Sequence, residues 1–425
     1  MGHLLSAKSE LVPLIDRLNR HPVGLVDNAK LREILSLLFD AREAQVAAGF
    51  PLMEATLGEL AEATGIPASE LDGILESMAN KGLVMDLPYA GETYYMLMPG
   101  LIGFFELTFM RRRTDLPVAR VAELMTEYLR ERAGDGSGQA KEFFGSPTPI
   151  VRAVVDEQQI PVTSRITPYE DAREIIRNAS FRAVTMCYCR HKKEHLGQSC
   201  QKGAPVDGIC MVLGEGARFL VRRGLAEEKT IDAMLETLDH ARDLGLTHVT
   251  DNVREQPSFL CNCCRCCCEL MAGVQHGYPD GLGKTPFIAE VDPEHCDYCG
   301  ECLRACNAKC IGLGAGARQH ANKDARQHAI EDARQHAVKG ARRRTGDGER
   351  RRWAEVDAHI CLGCGVCVPT CERGAITLKP RHGYRKPPAR PVSLYARMLW
   401  EKGRLWPYLG AALKRHLRLP LLWRG

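Results

Sequence analysis

No apolar run in this 425-residue chain reaches the roughly 18 residues that a membrane span requires. The best candidate, Leu101 to Phe109, is interrupted by Glu106. No export leader is expected either, because the opening MGHLLSAKSELVPLIDRL places Lys8 and Glu10 inside any apolar core. The sequence also lacks a phosphate loop, a dinucleotide fingerprint and a conventional nucleophile, which removes the usual signatures of nucleotide-dependent and hydrolytic enzymes. Cations are missing from one instructive place: between Glu54 and Asn80 there are six acidic residues and no Lys or Arg. Phosphate contact needs cations, so nucleic acid is not an expected partner of that stretch.

What the chain has in excess is cysteine, 19 in all. Without export these thiols are expected to stay reduced in a cytoplasmic setting, as metal or cluster ligands rather than as a disulfide framework. Cys296, Cys299, Cys302 and Cys306 read C-x2-C-x2-C-x3-C, and Cys361, Cys364, Cys367 and Cys371 repeat the pattern. Three thiolates at that spacing on a tight loop reach three corners of one 4Fe–4S cubane, and the fourth points to the other cluster. Cluster I is therefore assigned to Cys296, Cys299, Cys302 and Cys371, and cluster II to Cys361, Cys364, Cys367 and Cys306. Zinc is normally held by two separated ligand pairs rather than by two such quartets.

On these motifs residues 286–380 resemble the two-cluster bacterial ferredoxins. Members of that family usually carry Pro after the fourth cysteine, where this chain has Asn307 and Glu372. Cys310 occupies the small-residue slot that Ala375 fills in the second half, and is read as packing against a cluster rather than ligating it. Short strands are expected to flank each loop, Phe287–Val291 with Ile311–Leu313 and Trp353–Val356 with Ile376–Leu378. Between the halves, ARQHA recurs at 317, 325 and 333, a period of eight. On a helix eight residues rise about 12 Å and turn about 80° past two full turns, so His320, His328 and His336 cannot share an ion. The insertion, 315–350, is read as low-complexity sequence ending in a basic loop.

Ten further cysteines lie between 180 and 285. FRAVTMCYC reads as a strand that projects Cys187 and Cys189 from one face. Cys200 and Cys210 follow, then a helix over Gly214–Arg223 and another over about 227–244 with Ile231, Leu235, Leu238 and Leu244 along one side. Six cysteines then fill eight positions: Cys261, Cys263, Cys264, Cys266, Cys267 and Cys268. Packing does not require so many adjacent thiols. An additional iron–sulfur cluster or a zinc site is the favoured reading, with Cys187, Cys189, Cys200 and Cys210 as one ligand set that the run completes or supplements. Thiol–disulfide chemistry at cysteines beside Arg190 or Arg265 is the alternative.

MCYCRHKKEHLGQSC, FLCNCCRCCCELM and the two quartets together resemble a group of prokaryotic multidomain ferredoxin-type proteins over about residues 28–380. That resemblance implies redox function and assigns no particular reaction. Upstream, Thr56–Ala63, the turn Gly65-Ile66-Pro67 and Ala68–Asn80 read as a helix-turn-helix with a Thr56/Glu59 capping box. Leu83–Leu87 and Tyr94–Met98 follow as a wing, resembling a winged helix that docks protein. From 381 to 425 there are eleven Lys or Arg against Glu401 alone, with Trp400, Trp406 and Trp423. This tail reads as amphipathic helix that meets a membrane surface, a partner, or its own chain.

The expected fold class is α+β multidomain. Its parts are an N-terminal segment (1–27), a winged-helix-like domain (28–113), a connector (114–160), a Cys-rich α/β middle domain (161–285), the two-cluster 4Fe–4S ferredoxin-like domain (286–380) and the tail (381–425). The expected function is electron transfer to redox partner proteins, as a subunit or shuttle with no small-molecule substrate of its own. The alternatives are a redox-responsive winged-helix regulator and a catalytic oxidoreductase working through Cys261–Cys268.

Overall fold

The computed structural model describes residues 3–130, 138–159, 166–313, 353–406 and 409, with side chains from Leu11 onward. The ARQHA repeats, Tyr408, Trp423 and most of the GDGSG stretch lie outside the described residues. The chain mixes helices with antiparallel sheet.

Helices α1 (His3–Leu18), α2 (Ala29–Leu38) and α3 (Ala41–Gly49) lead into a short strand β1 (Ala55–Thr56). Helices α4 (Leu57–Thr64) and α5 (Ala68–Lys81) follow, then strands β2 (Val84–Tyr89) and β3 (Glu92–Leu97). Local chemistry sets these boundaries. The Thr56 side chain accepts from the Glu59 amide while Glu59 accepts from the Thr56 amide, so each satisfies an orphan donor of the first turn. Gly65 ends α4 at φ 69°, a left-handed conformation that glycine reaches without a Cβ penalty. β3 pairs antiparallel with both β1 and β2. Leu60, Leu71, Leu75 and Met78 bury the inner faces of α4 and α5.

The chain then crosses a turn at Gly100–Phe104 into α6 (Phe105–Thr108), α7 (Val118–Arg130) and α8 (Gln139–Phe144). Phe39, Phe104, Phe105 and Tyr128 form a file of edge-on rings whose centroids lie 5.5, 5.1 and 6.3 Å apart. Beyond it a six-stranded sheet is built from β4 (Val151–Ala153), β5 (Arg182–Thr185), β6 (Cys210–Leu213), β7 (Ala226–Glu228), β8 (Thr247–Asp251) and β9 (Phe259–Cys263), in the order β4-β8-β9-β6-β5-β7. Every pairing in it is antiparallel, so this segment is not the α/β layer expected from sequence. Its edge strand β4 falls within the expected connector.

Helices α9 (Ala172–Asn178), α10 (Tyr188–His195), α11 (Gly214–Arg222), α12 (Ile231–Asp243) and α13 (Glu269–Gln275) accompany the sheet. At α12 Leu238 is buried and Leu235 and Leu244 pack against the core as expected, Met234 and Ala241 are buried beside them, and Ile231 is exposed. Ile231 is the first helical residue, where side chains splay from the core.

The last segment holds β10 (Phe287–Val291), α14 (Glu301–Ala305), β11 (Ile311–Leu313), β12 (Ala354–Val356) and β13 (Ile376–Pro380). The strands lie where the sequence places them, but they do not pair within each half. β10 pairs with β13, and β11 with β12, so the two halves interlace. Helix α15 (Pro391–Glu401) turns back onto the chain. Leu394, Met398 and Leu399 are buried, and the Glu401 carboxylate accepts from the Thr148 amide at 3.0 Å and its hydroxyl at 2.6 Å. Trp400 and Trp406 stay exposed.

Candidate metal centres

The interlaced strands bring the two quartets into a crossed arrangement. Cys302 lies with Cys296, Cys299 and Cys371, and these four line one small pocket. Cys367 lies nearest Cys364, Cys306 and Cys361, with Cys302 of the other set also in range. Left-handed glycines wind the second loop: Gly363 at φ 70° lies so close to the Phe287 carbonyl that a Cβ would collide with it. Backbone amides point at sulfur in matching places, Ala375 N to Cys371 Sγ at 3.3 Å and Cys310 N to Cys306 Sγ at 3.4 Å. Cys310 thus repeats the position of Ala375, buried with its Sγ 3.4 Å from that of Cys306. Burial pushes the Cys302 thiol up to about 12 and Cys364 up to about 11. Buried thiols of this kind become thiolates when a metal supplies the opposing charge.

The middle cysteines divide into two sets, and the division runs through the Cys261–Cys268 stretch. On β9 alternate residues share a face, so Cys261 and Cys263 point together. Cys187 lies against Cys189 and Cys210, Cys210 against Cys261, Cys189 against Cys268, and Cys268 against Cys263. These six thiols form one connected group. Cys200, Cys264, Cys266 and Cys267 form the other, with all four Sγ atoms within 4.8 Å of one another. Cys200 therefore does not join Cys187, Cys189 and Cys210 as expected. The strand expected to carry Cys187 and Cys189 stops short of both: β5 ends at Thr185, Cys187 caps α10 with extended backbone, and Cys189 lies in the helix's first turn.

Arg190 is buried between the two sets. Its Nη2 donates to the Asn262 carbonyl at 3.0 Å, while Nε and Nη1 have no hydrogen-bond partner. Burial opposes its charge, but the neighbouring Cys187, Cys210 and Cys264 sulfurs outweigh burial and hold the guanidinium above its usual range. A second buried charge pair braces the same region, Lys192 Nζ to Glu269 Oε1 at 2.6 Å. It joins α10 to α13, the two helices whose N-caps are Cys187 and Cys268.

The six-thiol group opens onto a chamber of about 660 Å³. Met85, Leu101, Phe143 and Tyr278 give it apolar walls, and Glu106 is among its few polar groups. Burial pushes the Glu106 carboxyl up to about 7, even though its Oε2 accepts from the Gly103 amide at 2.7 Å. Ile102 beside it sits at φ 53°, ψ 53°, a left-handed conformation that is strained for a β-branched residue. The sequence reading missed Glu106, Lys192 and Glu269 as site residues. The signal for Glu106 was present, a lone carboxylate interrupting an apolar run.

Between the middle cysteines and the quartets the contacts are polar and buried. Asn307, standing where the resembled family has Pro, donates to the Gly245 carbonyl at 2.9 Å and to Thr247 Oγ1 at 2.9 Å. Its Oδ1 accepts from the Arg265 amide at 3.2 Å. Lys202 Nζ donates to the Gly245 carbonyl at 2.7 Å and lies 3.4 Å from that of Ala305.

Set against known proteins, the chain matches no family, no curated protein and no solved structure.

Proposed function

We propose that this chain is an electron-transfer iron–sulfur protein that binds two 4Fe–4S clusters through residues 286–380, with further metal bound by the middle cysteines. The observation that carries this reading is the crossed set of thiols. Cys306 lies with the second quartet and Cys371 with the first, which is the exchange that a two-cluster ferredoxin-like fold requires. When bound, such clusters supply one-electron exchange. The chain's own residues hold the thiols, aim amides at sulfur and exclude water from Cys302 and Cys367.

The winged-helix-like segment is read as a docking element. Glu76 and Asp86 pair with Arg223, the residue that caps α11, at 2.6 and 3.1 Å, which engages the acidic second helix within the chain rather than on phosphate. Redox partner proteins are the proposed partners, and exposed Trp400 and Trp406 offer them an aromatic contact.

Anaerobic purification followed by iron and acid-labile sulfide analysis tests the reading. About 8 of each per chain in residues 286–380 are expected. A Cys302→Ser, Cys364→Ser chain that keeps all its iron sinks it.

One observation favours a second reading, that of a catalytic oxidoreductase. The six-thiol group faces a chamber within the size range of small-molecule sites, walled by apolar side chains with a neutralisable carboxyl. Electrons from the quartets then serve reduction of a small, mostly apolar molecule there. Turnover surviving Cys189→Ser and Cys268→Ser counts against it.

A further inference from the structure

The geometry points to a single tetrahedral zinc ion held by Cys200, Cys264, Cys266 and Cys267, a redox-inert pin between the chamber and the ferredoxin-like segment. This rests on reading the middle cysteines as metal ligands and is independent of the two clusters.

Sulfur spacing is the first argument. Cys266 Sγ lies 3.8 Å from Cys200 Sγ, 3.5 Å from Cys264 Sγ and 3.7 Å from Cys267 Sγ. Four thiolates at the zinc–sulfur distance of about 2.3 Å stand about 3.8 Å apart along each edge of a tetrahedron. A cubane places iron and sulfide between its thiolates and needs a wider set. Among the described residues this is the group whose four sulfurs fall within 4.8 Å of one another, and the two ferredoxin-type quartets are spread more widely.

Charge is the second argument. Four thiolates and a divalent ion leave a net charge of about −2, which a buried site must offset. Arg190 is 2% exposed, with Nε and Nη1 unpartnered, and it is shared: its charge is drawn first to Cys187 and Cys210 and then to Cys264 and Cys200. Lys202 lies near Cys264 and Cys266, and the Gln201 amide donates to Cys266 Sγ at 3.4 Å. A buried guanidinium with a single oxygen acceptor is costly beside neutral thiols and favourable beside a thiolate-bound metal.

Position gives the ion its role. Cys200 precedes Lys202, and Cys264 to Cys267 surround Arg265; both residues reach across to the quartet segment. Lys202 bonds the Ala305 carbonyl at 3.4 Å, and Arg265 bonds the side chain of Asn307 and the Arg304 carbonyl at 3.1 Å. Tying these two turns together fixes the register at which Cys261 and Cys263 on β9 and Cys268 at α13 meet the six-thiol group. Zinc has no accessible redox change, so the pin sets geometry without accepting an electron.

The test uses the full chain purified without oxygen. Wild type is expected to carry about one zinc per chain beside its iron, with zinc K-edge absorption reporting four sulfurs at about 2.3 Å. Cys200→Ser with Cys267→Ser is expected to lose that zinc and keep its iron. Loss of iron and sulfide in this variant, or no metal loss, overturns the proposal. Should the variant not fold, wild type from cobalt-supplemented cells decides: tetrahedral thiolate–cobalt bands support the site, and their absence overturns it. A Cys302→Ser, Cys364→Ser chain that has lost iron but keeps zinc supports the pin, whatever becomes of the cluster reading.

Discussion

Asn307 donates to Thr247 Oγ1 at 2.9 Å, and the same Thr247 hydroxyl donates to Cys364 Sγ at 3.6 Å. A side chain that replaces the expected Pro therefore orients a hydrogen bond to a proposed cluster II ligand. Hydrogen bonds to ligand sulfur favour the reduced, more negative cluster and raise its potential. Thr247→Val is expected to lower that potential by about 20–60 mV, the one-electron equivalent of a hydrogen bond worth about 0.5–1.5 kcal/mol. A redox titration followed by EPR reads it, and an unchanged potential removes the hydroxyl from the tuning.

Cys310 and Cys306 separate packing from ligation. Cys310 repeats the place of Ala375, so Cys310→Ala is expected to leave iron per chain unchanged and to cost less than about 1.5 kcal/mol in stability. Cys306→Ala removes a proposed ligand, and about 4 irons per chain should go with it. Equal iron loss in both variants would make Cys310 a ligand.

Lys192 and Glu269 are buried, and burial works against both charges. For Glu269, Lys192 wins and holds the carboxyl below its usual range. Lys192→Met leaves that carboxylate alone and is expected to cost about 3–5 kcal/mol in anaerobic denaturant unfolding. Pairing it with Glu269→Leu should recover most of the loss. A double variant as unstable as the single one would show that the helices need the pair itself.

Glu106 sets a pH dependence of definite sign. Its carboxyl rises from 4.5 in the unfolded chain to about 7 in the fold, so the folded state holds its proton longer. The stability it contributes is present below 4.5 and is lost as pH climbs through about 7, up to about 3 kcal/mol in all. Asp171 and Asp251, both pushed up to about 6 by burial, act in the same direction. The comparison is therefore between Glu106→Gln and wild type. The variant should be the more stable at pH 8 and equal near pH 4. Parallel profiles would mean that the chamber carboxyl is solvated.

The parts legible in sequence are those whose cause is local. The Thr56/Glu59 box and the turn at Gly65 need only neighbours a few residues away, and α4, α5 and the β2–β3 hairpin appear where the pattern puts them. Strand existence around the quartets was legible for the same reason, since alternation is read within five residues. Partner choice was not, and β10 pairs with β13 across the interlaced halves instead of within its own. Cys187 misled because a polar, β-tolerant stretch can end a strand and cap a helix equally well.

By itself the sequence determined where thiols concentrate in this chain, because the spacing C-x2-C-x2-C-x3-C is written within eleven residues and repeated. It also carried the anomaly at Glu106, as a charge where the pattern calls for none. Tertiary structure alone decided which of the middle thiols meet. Cys200 reaches Cys266 across 66 positions and leaves Cys187, Cys189 and Cys210 to another group. No local propensity encodes such a meeting. It depends on the order in which β6, β8 and β9 hydrogen-bond, which sets which turns of the sheet come to lie side by side.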